Sequence, residues 1–472
     1  MISIRGRAAT RRVAAALASG LLAAVGAVAG AGPAAAEEPL GSAPSSDGAT
    51  AVLDGLKVYD QAIVREDGET TETGAGLFEM SVAGGGSLQT YCIDMHNPTQ
   101  EQAQYQEVPW QTSSLHDNPD AGRIRWILQN SYPQVDDLAA LAKKSGARQL
   151  TPQTAAAGTQ VAIWRYSDGA DVSAVDKNAE KLAGYLEKAA KNLTEPRASL
   201  SLDPPAVSGK PGERLGPVTV RTTAQRTSVV PAPDAASHGV RIVGRDGKEI
   251  TTAADGDQLW FDVPADAEAA FTSLTVQGAT TVPVGRAFTG IGEHAISQTQ
   301  ILAGSSDSTV TATATANWAA QGAVPAVSAR KNCAAGGLDI TVSNQGDEPF
   351  SFNLGEASYE TPAGKTETVT VPVQEDQAYK ITINGPHGFA QTFSGVLDCA
   401  TVTSGSGDDK GTAVQTTPVT VGGSGSDVNL AETGNSSNVP LLVGVALGLL
   451  VLGGGAVLMV RRNKAEPADT DE

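Results

Sequence analysis

The sequence predicts a multidomain chain of mixed class. An α+β module over residues 50–197, with a β-sandwich or barrel part and a helical part, leads into two all-β, Ig-like sandwiches over 200–325 and 327–402, a flexible tether and a C-terminal transmembrane helix. Three observations carry this reading. Apolar residues make up 40% of the 472 and aromatic residues only 4%, while Gly (52) and Pro (25) are plentiful, which suits several small turn-rich modules better than one large aromatic core. Apolar residues recur at helical spacing only before Pro196, and alternation dominates after it. A long uncharged run near the C-terminus is closed by a basic cluster.

Residues 1–36 hold Arg5, Arg7, Arg11 and Arg12 and no acid, then an apolar run from Val13 to Ala31 and Ala34-Ala35-Ala36 before Glu37. A basic start, an apolar middle and a small-residue cleavage site make a secretory signal peptide, which is set apart from the fold. In the first module Leu77–Ala83 alternates, turns through Gly84-Gly85-Gly86-Ser87 and returns as Leu88–Asp94, a hairpin. Asn118-Pro119 reads as an N-cap with Pro at the first helical position, followed by Ile124, Ile127 and Leu128 and stopped at Pro133. A short helix is expected over 135–144, ending at Gly146, and a third from Thr151-Pro152 with Ala155, Ala156, Val161, Ile163 and Trp164. A fourth runs over 174–192 with Leu182, Tyr185, Leu186 and Ala189 as its apolar face.

The two β modules follow from runs such as Val218-Thr219-Val220 and Thr309–Thr315, an Asp246-Gly247 hairpin signal, and Leu338–Val342, Phe350–Leu354 and Tyr379–Ile383 with a Gly346-Asp347 turn. Residues 403–436 are rich in Gly, Ser, Thr and Asp and offer no core, hence a flexible linker. Leu441–Met459, within the span assigned to 439–460, is uncharged and long enough to cross a bilayer. Arg461, Arg462 and Lys464 place its end, and the tail 461–472, on the cytoplasmic side.

Charge and motif content exclude several functions. The 52 Asp and Glu against 33 Lys and Arg give a formal charge of −19, which repels phosphate backbones, so nucleic acid is not an expected partner. No H-E-x-x-H, G-x-S-x-G or P-loop occurs, and the five His are scattered, so neither metal nor cofactor nor conventional catalytic residues are expected.

Leu430-Ala431-Glu432-Thr433-Gly434, followed by a polar spacer, the apolar span and the basic tail, resembles the cell-wall sorting signal of Gram-positive surface proteins, in an L-A-x-T-G form. The resemblance implies cleavage by a sortase between Thr433 and Gly434 and attachment of Thr433 to a peptidoglycan precursor. The chain then sits covalently on the wall at the cell surface, meeting the membrane only through its C-terminal helix before sorting.

Export predicts oxidised, paired cysteines, yet there are three. Cys333 and Cys399 lie near the two ends of one β module, and a bridge between them closes a loop of about 65 residues, worth about 4 kcal/mol in the chain-entropy model. That leaves Cys92, in Thr90-Tyr91-Cys92-Ile93-Asp94 at the end of the returning hairpin strand. The third helix carries Thr159-Gln160-Val161-Ala162-Ile163-Trp164. These two segments, with Arg123–Pro133 between them, resemble the thioester domains of Gram-positive surface adhesins, whose hallmark is a Cys after an aromatic or apolar residue and a later T-Q-x-A-I-W. The resemblance implies an internal thioester in which the Cys92 Sγ has displaced ammonia from the Gln160 carboxamide.

The chemistry stands on its own terms. A thioester stores an acyl group on a good leaving group, because a thiolate is far less basic than an amide nitrogen, and an attacking amine converts it to an amide and a free Cys92 thiol. Such a bond lasts in water only when shielded. The small Ala156 and Ala157 let a strand approach the helix, and Trp164 and Tyr91 are placed to exclude water. His96, four residues after Cys92, is a candidate base toward the incoming nucleophile. The leading expectation is an adhesin that captures a nucleophile, a Lys amine, on another surface. The alternatives are a structural stalk in which the crosslink only braces the domain, and a secreted cysteine hydrolase using Cys92 with His96 or His116.

Overall fold

The structure is a computed structural model that describes residues 47–399. The signal peptide, the linker with its sorting motif, the transmembrane span and the tail lie outside the described residues. Among the described residues no helix is long and apolar enough to cross a membrane. The fold is mostly β-sheet with few helices.

Strand β1 (Thr50–Glu66) pairs antiparallel with β2 (Glu69–Val82), and β2 with β3 (Ser87–Cys92) through the three-glycine turn. Gly84, Gly85 and Gly86 all have φ between +84° and +115°, a region closed to side chains with a Cβ, which is why this tight return needs glycine. β4 (Gln104–Val108) pairs with the start of β1, and β5 (Val172–Ala174) with its far half.

The sheet is completed from far along the chain. Strand Gln300–Ser305 pairs with β3 and with strand Ala287–Gly290, which pairs with β4. Pairing therefore runs in a closed ring, β1, β2, β3, 300–305, 287–290, β4 and back to β1. The expected boundary at 197/200 is thus not the limit of this sheet. Residues 282–306 leave the long hairpin Ala270–Thr281/Asp307–Trp318 of the next module, fill the gap between β3 and β4, and return. A ring closed this way leaves no unpaired edge between those strands.

Four helices accompany the ring: α1 (Ala121–Asn130), α2 (Leu138–Ser145), α3 (Pro152–Ser167) and α4 (Lys177–Ala189). α1 starts two residues later than the sequence suggests. The Asn118 side chain accepts from the Asp120 N–H at 2.8 Å, so it closes a turn before the helix instead of capping it. α3 begins as expected, with Thr151 as N-cap in a reciprocal capping box with Thr154 and Pro152 in the first turn. Its residues 155–164 are all buried, as befits a helix apolar nearly all round. Gly158 is what lets α4 approach, since a Cβ there would meet the Ala179 carbonyl at 2.5 Å.

The second module packs a four-stranded sheet (200–203, 214–222, 241–243, 258–262) and a five-stranded one (206–209, 227–231, 252–253, 270–281, 307–318). Leu202, Val218, Val220, Leu259 and Phe261 from the first and Val229, Leu274, Val276, Val310 and Ala312 from the second are buried in the same core as the ring. The Asp246-Gly247 turn closes only an isolated bridge, Val243 to Glu249, because strand Arg241–Val243 is already paired with Gln258–Asp262. The last module has a three-stranded sheet (325–332, 337–344, 365–372) and the hairpins 350–354/357–361 and 378–384/390–396 around Leu338, Ile340, Phe350, Phe352 and Ile383. The Cys333–Cys399 disulfide is present across it.

Candidate functional site: the Cys92–Gln160 pair

β2–β3 pairing ends at Phe78 and Thr90, while on the other side Cys92 sits opposite Gln300. On the β2 side the Cys92 main chain has run out of ladder, and a buried N–H or C=O without a partner is costly. Gln160, wholly buried in α3, fills that edge. Its Oε1 accepts the Cys92 N–H at 3.0 Å, and its Nε2 donates to the Cys92 carbonyl at 2.8 Å. The side-chain amide thus stands in for the missing strand, and its carbon is fixed beside the residue whose sulfur must reach it.

The sulfur has its own donors. Trp164 lies one turn beyond Gln160 on the same helix face, and its indole Nε1–H points at the Cys92 Sγ at 3.4 Å; the Asp94 N–H does so at the same distance. Cys92 and Gln160 are both fully buried. Burial pushes the Cys92 thiol well above its ordinary value, and the neighbouring Asp168 adds to the push.

The geometry contains the parts of an acyl-exchange site. The Cys92 N–H polarises the acyl oxygen, as an oxyanion donor does, and two N–H groups face the sulfur where negative charge appears when the thiolate leaves. Tyr91 is fully buried and its hydroxyl donates to the Tyr132 carbonyl at 2.7 Å, tying β3 to the loop after α1. It is Trp164 that touches the sulfur. His96 is turned toward Glu66, its Nδ1 at 3.8 Å from Oε2, and neither it nor His116 hydrogen-bonds Cys92.

Sequence reasoning missed two neighbours. Asp168, the C-cap of α3, accepts the Met95 N–H at 2.9 Å and the Ser167 hydroxyl, and burial raises its carboxyl. Continuing the helix face from Gln160 through Trp164 by one more turn arrives at it. Asp398 comes from the last module and accepts the Thr299 hydroxyl at 2.9 Å; no local pattern marks it.

Trp164→Phe keeps an aromatic cover and removes one of the two sulfur donors. With the thioester formed, opening by methylamine is expected to slow about tenfold, less than the hundredfold or more that losing an oxyanion-hole donor costs, because sulfur is the weaker acceptor. A time course of intact mass measures it, and an unchanged rate would show the indole N–H to be idle.

Residues 89–199 match the family described as Thioester domain, and residues 325–396 match Bacterial phospholipase C, C-terminal domain. No curated protein matches the chain. Among solved structures, the Bacillus anthracis TIE protein is 15% identical with a TM-score of 0.27, over 75% of this chain and 81% of that one. The thioester domain of the Enterococcus faecium TIE86 protein is 16% identical with a TM-score of 0.28, over 59% and 98%. Cys92 and Gln160 both lie within the residues that match the Thioester domain family.

Proposed function

We propose that this protein is a cell-wall-anchored surface adhesin whose Cys92–Gln160 thioester acylates an amine, a lysine side chain, on a target surface. The observation that carries the reading is the reciprocal pairing of the Gln160 carboxamide with the Cys92 main chain, with the sulfur between two N–H donors and water excluded. Capture forms a covalent bond in one event, so affinity is not bounded as it is for reversible contacts. The sorting signal of 430–434 supports attachment of Thr433 to peptidoglycan by a sortase, and the signal peptide supports export. The β modules then form the stalk. The hydrolase reading is disfavoured by the surroundings of Cys92: His96 pairs with Glu66, and the hydrogen-bond partners of the sulfur are the Trp164 indole and the Asp94 N–H.

Incubating the chain of residues 37–433, which contains the whole described structure, with biotin-cadaverine tests the proposal. The expected product is one adduct per chain, on Gln160, with Cys92 newly alkylatable and no adduct in Cys92→Ala. A thioester that forms but accepts no amine under native conditions would leave the crosslink a brace. Release of many product molecules per chain would make the protein an enzyme.

A further inference from the structure

The last module brings three carboxylates to one place. One oxygen from each of Glu375, Asp376 and Asp398 lies within 4.8 Å of the other two. The main chain holds them there: Glu375 forms a parallel bridge with Leu397, the Asp376 N–H donates to the Leu397 carbonyl at 2.8 Å, and the Cys399 N–H donates to Glu375 Oε1. The disulfide to Cys333 pins Cys399 directly beyond Asp398. Like charges held this close repel one another and call for a counter-charge.

Asp398 adds an independent observation. The residue is wholly buried, and while its Oδ2 accepts the Thr299 hydroxyl at 2.9 Å, its Oδ1 has no hydrogen-bond partner among the described residues. A carboxylate oxygen taken out of water without a donor is costly. Asp376 is exposed, so the cluster has one dry wall and one side open to solvent. Lys331 is the nearby positive group acting on Asp398 and Glu375, and it offsets one of the three negative charges.

We propose that Glu375, Asp376 and Asp398 bind one calcium ion, which supplies the partner that Asp398 Oδ1 lacks. Calcium sits about 2.3–2.6 Å from its oxygen ligands, so oxygens within 4.8 Å of one another fit around a single ion. The three donors are hard oxygens with no His or Cys among them, which disfavours zinc and copper. Magnesium demands near-ideal octahedral geometry and usually takes one or two carboxylates, whereas calcium accepts three in irregular geometry and fills the open side with water.

The ion would also tie the last module to the thioester domain. Thr299, whose hydroxyl holds Asp398 Oδ2, accepts the Ile93 N–H at its carbonyl at 3.1 Å, one residue from Cys92. Fixing Asp398 therefore fixes the last module against the sheet that carries Cys92, whether or not the thioester has formed.

The test is equilibrium dialysis of the chain of residues 37–433, stripped with EDTA, against radioactive calcium chloride at constant ionic strength. Wild type is expected to bind one ion per chain with a dissociation constant of about 0.1–1 mM, the range of extracellular calcium modules. Asp376→Asn removes one ligand charge at an exposed position, and Asn tolerates the left-handed φ of +59° found there, so the fold is kept. Its affinity is expected to be about tenfold lower or less, since ligand charge sets calcium affinity. Urea unfolding gives a second readout. Calcium chloride at about 10 mM is expected to raise the ratio of folded to unfolded wild type about ten- to a hundredfold over sodium chloride of equal ionic strength, and Asp376→Asn is expected to lose most of that gain. No calcium bound to wild type below about 10 mM, or binding and stabilisation that Asp376→Asn leaves unchanged, would overturn the site.

Discussion

Gln160→Ala is expected to leave the chain at its full amide-intact mass, with Cys92 a free thiol and no uptake of methylamine at any concentration. The effect is all or none, because the acyl carbon itself is removed. It also carries a stability cost, since the Cys92 N–H and C=O lose partners at 3.0 and 2.8 Å in a buried place. Each orphaned group costs about 1–3 kcal/mol, and the cavity adds to that. Gln160→Glu separates the two effects. The acid still accepts the Cys92 N–H, but its second oxygen faces a carbonyl and fits only when protonated. The folded carboxyl is therefore raised above its unfolded value, and the variant's stability relative to wild type is greatest at low pH and falls as pH rises through that raised value. Urea unfolding at two pH values reads this out, and a variant that grew more stable with rising pH would contradict the geometry.

Arg286→Ala, away from the Cys92–Gln160 pair, is expected to be strongly destabilising. The guanidinium is buried, with Nε donating to Glu107 at 2.8 Å and a terminal nitrogen to Glu195 at 2.6 Å. Glu107 lies on β4, Glu195 follows α4, and Arg286 directly precedes the strand that closes the ring. Removing one partner of a buried pair leaves the other charge uncompensated and costs about 3–5 kcal/mol. The hydrophobic double replacement that rescues many buried pairs is not expected to work here. Glu107 also accepts the Ala49 N–H at 3.1 Å, the Ser199 N–H at 2.9 Å and the Ser199 hydroxyl, all of which would be orphaned. Equilibrium urea unfolding of the single and double variants checks both statements, and a loss below about 1 kcal/mol for Arg286→Ala, the range of an exposed pair, would contradict them.

What was legible in the sequence was local. The three-glycine turn, the Thr151-Pro152 start of α3 and the Gly146 end of α2 each follow from one residue's backbone chemistry, and each is present. The Cys333–Cys399 pairing followed from the cysteine count and positions in a chain expected to be exported. Cys92 and Gln160 were marked by their motifs, and the structure brings them into contact. The excursion of residues 282–306 into the ring was not legible, because a strand's pattern tells which face it buries but not which distant edge it joins. Asp398 and Arg286 were missed for the same reason: their partners Thr299, Glu107 and Glu195 lie about 90 to 180 residues away along the chain. Their worth comes from desolvation and not from any spacing.

The most direct measurement of the central claim is the intact mass of the chain of residues 37–433, non-reduced, before and after methylamine, with Cys92→Ala alongside. The account predicts a mass lighter than the sequence by one ammonia and the two hydrogens of the disulfide, and a gain of one methylamine on treatment, while the variant lacks only the two hydrogens of the Cys333–Cys399 disulfide and takes up no methylamine. A mass lacking only the two hydrogens, with Cys92 alkylated in the unfolded chain from the start, would contradict it.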